Sequence, residues 1–199
     1  TLSDHLTKLI KIRQLLSYDK IKYTIELAED LIESGKKVII FSTFKDSIRS
    51  IYEHFGNKAV IIDGSTTKER RQAAVDAFQT DKKIKVFCGN IIAAGVGLTL
   101  TEAEVVIFND LDWVPANHAQ AEDRAHRIGQ VNDVHVVYML FEDTLDTLMY
   151  ASLDRKKKII ATIMGDDQVN FDTQFENISK DVELSETMIS DVINTLKEK

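Results

Sequence analysis

Along the first third of the chain the apolar positions recur at helical spacing, and after that they gather into short unbroken runs. Leu2, Leu6, Leu9, Ile10 and Leu16 predict an amphipathic helix over 3–16 with Ser3 as N-cap. Asp19 predicts the cap of a second helix that places Ile21, Ile25, Ala28, Leu31 and Ile32 on one face and stops at Gly35. The runs that follow are Val38 to Phe41, Val60 to Ile62, Ile84 to Cys88, Val105 to Phe108 and Val134 to Leu140. Each is too short for a helix and rich in β-branched residues, as expected of strands apolar on both faces in a covered parallel sheet. Between them lie helix patterns over Lys45 to Phe55, over Thr67 to Phe78 behind a Thr66–Glu69 capping box, and from Pro115 to Ile128, stopped by Gly129. A last helix opens at Asp143 or Thr144 and runs through Ile163. Five βα repeats with right-handed crossovers predict an α/β fold: a doubly wound, mainly parallel sheet of about five or more strands with helices on both faces. Ligands of such sheets sit outside the carboxyl ends of the strands.

This pattern divides the chain into leading helices over 1–35, the sheet domain over 36–164, and an acidic tail over 165–199. In the tail Ser185 could cap a helix bearing Met188, Ile189, Val192 and Leu196. At 199 residues, 44% hydrophobic and 29% charged, the chain has the composition of a folded domain with a core. The net charge of −7 argues against a polyanionic partner until it is resolved along the sequence. Residues 1–90 carry +4, residues 91–160 carry −5 and residues 161–199 carry −6, so the N-terminal half is free to present a basic face. No apolar run approaches the roughly 18 residues of a membrane span. The lone Cys88 and the lack of a signal-peptide pattern lead us to expect an intracellular protein, in a prokaryotic cytoplasm or a eukaryotic nucleus. A start at Thr1 leads us to expect a piece of something longer.

Three segments carry candidate chemistry. Gln120 to Gln130 reads Gln-Ala-Glu-Asp-Arg-Ala-His-Arg-Ile-Gly-Gln, and on a helix Gln120, Asp123, Arg124 and Arg127 share a face. Two guanidinium forks one turn apart suit polyphosphate oxygens at any pH; a solvated face with an Asp123–Arg127 pair is the plain alternative. Asn90 to Thr99 leaves a strand and carries Gly95 and Gly97, which allow close approach of backbone to a ligand, or simply a tight turn. Asp63-Gly64-Ser65-Thr66-Thr67, followed by Lys68, Arg70 and Arg71, combines hydroxyls, helix N-terminal amides and cations: a seat for a nucleic-acid phosphate, or an ordinary capped helix. His5, His54, His118, His126 and His135 do not cluster at ligand spacing, so no metal site is expected, and Cys88 is expected in the core.

The order of these segments says more than any one of them. Val38 to Ser42, the Asp63 turn, the Gly95/Gly97 loop, Trp113-Val114-Pro115 and Gln120 to Gln130 follow in a succession that resembles the second RecA-like lobe of superfamily-two helicases, specifically of Swi/Snf-type DNA translocases. Gln120 to Gln130 matches that family's motif VI at all eleven positions, the resemblance spans roughly residues 20–160, and the Gly95/Gly97 loop is most similar to the annealing-helicase branch.

The resemblance implies an ATPase of two lobes, with ATP and Mg2+ bound mainly by a first RecA-like lobe of the same protein and double-stranded DNA as the other partner. Arg127 and Arg124 would be fingers on the γ-phosphate, Gln120 would align the nucleotide cleft, and Asp123 would orient the arginines. Gly95, Gly97, Leu98 and Thr99 would lie against the nucleotide. Ser42, Thr43, Gly64, Ser65, Thr66, Arg70, Asn90 and Trp113 would lie near DNA. The chain departs from the family at Asn90, where Ser or Thr is usual, at Ile92, where many members have Arg, and at Val114 in the Trp-Asn-Pro motif. It holds no Gly-x-x-x-x-Gly-Lys-Ser/Thr loop, so it is expected to be a monomeric half-site without activity of its own. The alternative reading is a lobe that no longer serves hydrolysis and only docks DNA or a partner.

Overall fold

The computed structural model describes residues 2–93, 97–127, 130 and 133–164. Five strands, β1 (Val38–Ser42), β2 (Ala59–Ile62), β3 (Val86–Asn90), β4 (Val105–Phe108) and β5 (His135–Tyr138), form one all-parallel sheet in the order β2-β3-β1-β4-β5. The register pairs Ile40 with both Cys88 and Ile107, and Val106 with Val136. Every residue of β1 and β4 is buried, as their unbroken apolar runs require.

Alternation along these strands builds two cores. Ile39, Phe41, Phe87, Val106 and Phe108 face α3 (Lys68–Thr80) and α4 (Pro115–Glu122), where Val75, Phe78 and Ala121 close on them. Val38, Ile40, Val86, Cys88 and Ile107 face α1 (Leu2–Glu33) and α2 (Lys45–Phe55), meeting Ala28, Ile48 and Ile51. Full burial of each such aliphatic or aromatic side chain contributes about 1.5–3 kcal/mol. Cys88 lies in this core as expected, and its burial raises the thiol pKa far above the ordinary range. The last helix, α5 (Leu145–Met164), brings Met149 and Leu153 onto Leu111.

The two expected leading helices are one. α1 continues through Ser17, Tyr18 and Asp19 because nothing there breaks it: Ser17 turns inward to Ser47 and Asp110, and Asp19 caps nothing. The expected stop holds. Gly35, at φ +87°, donates to the Ile32 carbonyl while Lys36 donates to that of Leu31, a Schellman ending that needs the left-handed conformation. Ser3 as a cap lies outside the described side chains, as do Ile128, Gly129 and everything after Met164, the 185–196 helix included.

Three further expectations shift. The N-cap of α3 is Thr67, whose hydroxyl accepts from the Arg70 amide, while Thr66 belongs to the preceding turn. β3 starts at Val86 instead of Ile84, and β5 is confined to His135–Tyr138. The crossover from β3 to β4 carries no helix among the described residues. Its described ends, Ile91, Leu100 and Ala103, pack into the α3/α4 core.

Candidate nucleotide and nucleic-acid site

α2 leaves the carboxyl end of β1 toward one face of the sheet, whereas the connections after β3 and β4 leave toward the other. The crevice between them is where a doubly wound sheet binds its ligands.

Motif VI does not lie on one helix. α4 ends at Glu122, and the amides of Arg124 and Ala125 donate three residues back, to Ala121 and Glu122, tightening the chain into turns. The shared face expected for Gln120, Asp123, Arg124 and Arg127 is therefore replaced by a divided one. Arg124 is buried: Nε donates to the Gln120 carbonyl at 2.8 Å and Nη1 to the Leu98 carbonyl at 3.4 Å. Burial, with Arg127 close by, lowers its pKa from the ordinary arginine value. Arg127 keeps 35% of its side chain exposed and donates from Nη1 to the Thr99 hydroxyl at 3.2 Å. The exposed Asp123 carboxylate stands 3.9 Å from Arg124 and 3.7 Å from Arg127, between the two guanidinium groups. Gln120 is exposed.

The loop that meets these arginines is pinned at both ends. Asn90 donates from Nδ2 to the Thr43 carbonyl, and its Oδ1 accepts from the amides of Ile92 and Ala93. The departure from Ser or Thr at this position thus supplies a longer side chain that bridges β1 and the loop. At the far end the Leu100 amide donates to the Arg124 carbonyl at 2.9 Å. Gly97 has φ +70°, a conformation that disfavours any side chain. Gly95 lies outside the described residues.

The turn after β2 is built around Asp63. Its Oδ1 accepts from the Ser65 amide and hydroxyl, and its Oδ2 from Arg49 at 2.8 Å. These bonds, those from Ser65 foremost, hold the carboxyl well below the ordinary aspartate pKa. Gly64, Ser65 and Arg70 are exposed, Thr66 is half-buried, and the turn borders an open groove shared with Arg49 and Tyr52.

Ser42 and Thr43 are turned elsewhere. Ser42 is fully buried and donates to Asp110 Oδ2, while the Thr43 amide and hydroxyl both donate to Oδ1. Ser17 adds a fourth side-chain or backbone donor group, at 2.6 Å. The expected contact between the Ser42 hydroxyl and DNA is therefore closed off by burial; only the Thr43 edge is reachable. Asp110 is a residue that sequence reasoning missed, although a carboxylate two residues beyond an apolar strand run was a readable signal. Arg13 was missed as well. Its Nη2 donates to the Leu111 carbonyl at 2.6 Å, and its guanidinium lies 5.3 Å from the Phe44 ring and 5.5 Å from the Trp113 ring. Trp113 is 38% exposed beside the exposed Val114. Asp112 Oδ1 accepts from the Val114 amide and from Asn117 Nδ2.

A profile described as the helicase conserved C-terminal domain matches residues 19–129, more than half of the chain. The chain belongs to that family. It is 38% identical over 153 residues to Helicase swr1 of Schizosaccharomyces pombe, which covers 74% of this chain and 12% of the relative. It is 36% identical over 162 residues to the SWI/SNF-related matrix-associated actin-dependent regulator of chromatin subfamily A-like protein 1 of Xenopus laevis, covering 79% of this chain and 17% of that protein. The solved C-terminal part of the Fun30 ATPase domain superposes with a TM-score of 0.61 at 32% identity, over 66% of this chain and 44% of that one. The helicase-type C-terminal lobe is thus of Swi/Snf kind, with the RecA-like α/β fold its motifs implied, and it spans under a fifth of the length of these two curated relatives.

Proposed function

We propose that this lobe completes the ATPase site of a Swi/Snf-type double-stranded-DNA translocase, closing on a first lobe around ATP and Mg2+. The observation that carries the reading is Arg127: a half-buried guanidinium fixed at one end by Thr99 and flanked by Asp123 at 3.7 Å, its other N–H groups without a hydrogen bond among the described residues. Those unused donors fit phosphate oxygens, and their planar fork suits charge developing on a transferred phosphoryl group. Arg127 is the finger; Arg124, buried, holds the Leu98 carbonyl next to the Thr99 on which Arg127 rests. Mg2+ is assigned to the first lobe's residues on the family resemblance alone. ATP supplies the phosphoryl group, and this chain's part is to orient Arg127, neutralise charge and exclude water as the lobes meet.

DNA lies along the carboxyl-end surface, at the Asp63 turn with Gly64, Ser65, Thr66 and Arg70, at Thr43 and Asn90, and beside Trp113. There the exposed Gly64 backbone and the Arg70 guanidinium suit phosphate oxygens and carry no sequence preference, while the Ser65, Thr66 and Thr43 donors, committed to Asp63 and Asp110, shape the surface around them. Alternating grip during lobe closure and opening would convert hydrolysis into steps along the duplex.

The test is phosphate release. This chain alone, with or without duplex DNA, releases none above buffer. A two-lobed protein containing it turns over ATP faster with duplex present. Phosphate release by this chain alone, abolished by Arg127→Ala, would overturn the half-site reading.

A further inference from the structure

Arg70 and Arg71 are neighbours on the first turn of α3 and project about 100° apart, as successive helical residues do. Arg70 is exposed on the groove beside the Asp63 turn. Arg71 is half-buried and turned back over the start of its own helix. Its Nε donates to the Thr66 carbonyl at 3.1 Å and its Nη1 to the Ala93 carbonyl at 2.9 Å. One guanidinium thus clasps the turn after β2 to the loop after β3.

Both acceptors are backbone carbonyls, so movement of either segment is passed to the main chain of the other and not absorbed by a side chain. Hydrogen bonds from a charged fork are shorter and stronger than neutral ones, and the fork's planarity fixes the angle between its two partners. The clasped loop is the one that carries Leu98 to the Arg124 guanidinium and Thr99 to Arg127. Among the described residues, contacts thus run from the Asp63 turn through Arg71 to Ala93, and from Leu98 and Thr99 of the same connection to Arg124 and the finger.

We propose that Arg71 is a positioning residue coupling the turn that bears Gly64, Ser65 and Thr66 to the loop that sets Thr99 against Arg127. Phosphate engagement at the turn fixes Thr66, Arg71 carries that constraint to Ala93, and the loop presents Thr99 so that Arg127 is aimed. This rests on the reading of the two sites given above. Arg70 and Arg71 then divide the work: the first meets the phosphate, the second reports it.

Two measurements test the coupling. In this chain, amide exchange over 91–99 quickens by about tenfold in Arg71→Ala and in Arg71→Lys, while exchange in β1 and β3 stays as it was, since loops open independently of the core. In a two-lobed protein, the ratio of duplex-stimulated to duplex-free turnover falls about tenfold in both variants, within the usual range of coupling between two sites. Lysine fails because its compact ammonium does not reproduce the reach and fixed angle of the planar fork between the Thr66 and Ala93 carbonyls. A purely structural role would lower the melting temperature and both turnover rates together, leaving the ratio intact, and that result overturns the proposal. So does a full rescue by Arg71→Lys, or unchanged exchange over 91–99. A parent protein without duplex-stimulated turnover would instead overturn the functional reading beneath it, and the proposal with it.

Discussion

Arg127 donates to the Thr99 hydroxyl at 3.2 Å, whereas Arg124, three residues earlier, is buried against the carbonyls of Gln120 and Leu98. Two arginines that a helical spacing would have made equivalent are separated by the end of α4 into an outward and an inward one. Their variants should therefore fail differently.

In a two-lobed protein, Arg127→Ala should reduce duplex-stimulated turnover by at least about a hundredfold, a threshold set below the roughly 10³–10⁵ that an arginine finger supplies in phosphoryl transfer. Its melting temperature should barely move, and Arg127→Lys should recover little. Steady-state turnover and thermal melting on the same preparations check this. Near-normal turnover in Arg127→Ala would defeat the assignment.

Arg124→Ala should lose turnover and stability together. It leaves the Leu98 and Gln120 carbonyls short of a donor at a buried position, at a cost of about 1–3 kcal/mol. Urea denaturation of this chain measures the second effect without any nucleotide.

Gly64 has no positive φ, and nothing lies within 4 Å of where a Cβ would stand. Gly64→Ala should leave stability within about 0.5 kcal/mol. Arg70→Ala should weaken binding to unrelated duplexes equally and reduce the salt slope of log K by about 1. Fluorescence anisotropy on two duplexes across a salt series tests it; loss confined to one sequence would count against phosphate contact.

Asp110 joins Ser17 of α1 to Ser42 and Thr43 at the end of β1. Asp110→Ala should cost about 3–5 kcal/mol, because several buried donors lose one shared acceptor. Chemical denaturation gives the value directly, and a loss under 1 kcal/mol would show that the hub is dispensable.

His118 Nε2 lies 3.0 Å from the Asp112 amide and 3.1 Å from its carbonyl, while its buried Nδ1 has no hydrogen-bond partner among the described residues. Desolvation lowers its pKa below the ordinary 6.5, with Lys157 adding to the shift and Asp112 and Glu122 opposing it. The unfolded chain therefore takes up a proton that the native state resists. The contribution of neutral His118 is whole above pH 6.5 and is lost as pH falls below that value toward the lowered native pKa. Stability of the wild type should fall between pH 7 and 5 more steeply than that of His118→Phe, read by denaturant midpoints across that range.

Much of this protein was fixed by local pattern. The five apolar runs, the Gly35 stop, the first-turn Pro115 and the contiguous motif VI are properties of neighbours in sequence, and each led to the right element or family. What tertiary structure decided was direction. Whether Asp19 caps a helix or rides within one depends on Ser17 finding Ser47 and Asp110, partners 30 and 93 residues away. Whether Ser42 meets DNA or a carboxylate depends on β4 lying beside β1. The roles of Arg124, Arg127 and Arg71 follow from where α4 ends and where the loop after β3 returns, because a guanidinium is assigned by the acceptors around it and those acceptors come from distant parts of the chain.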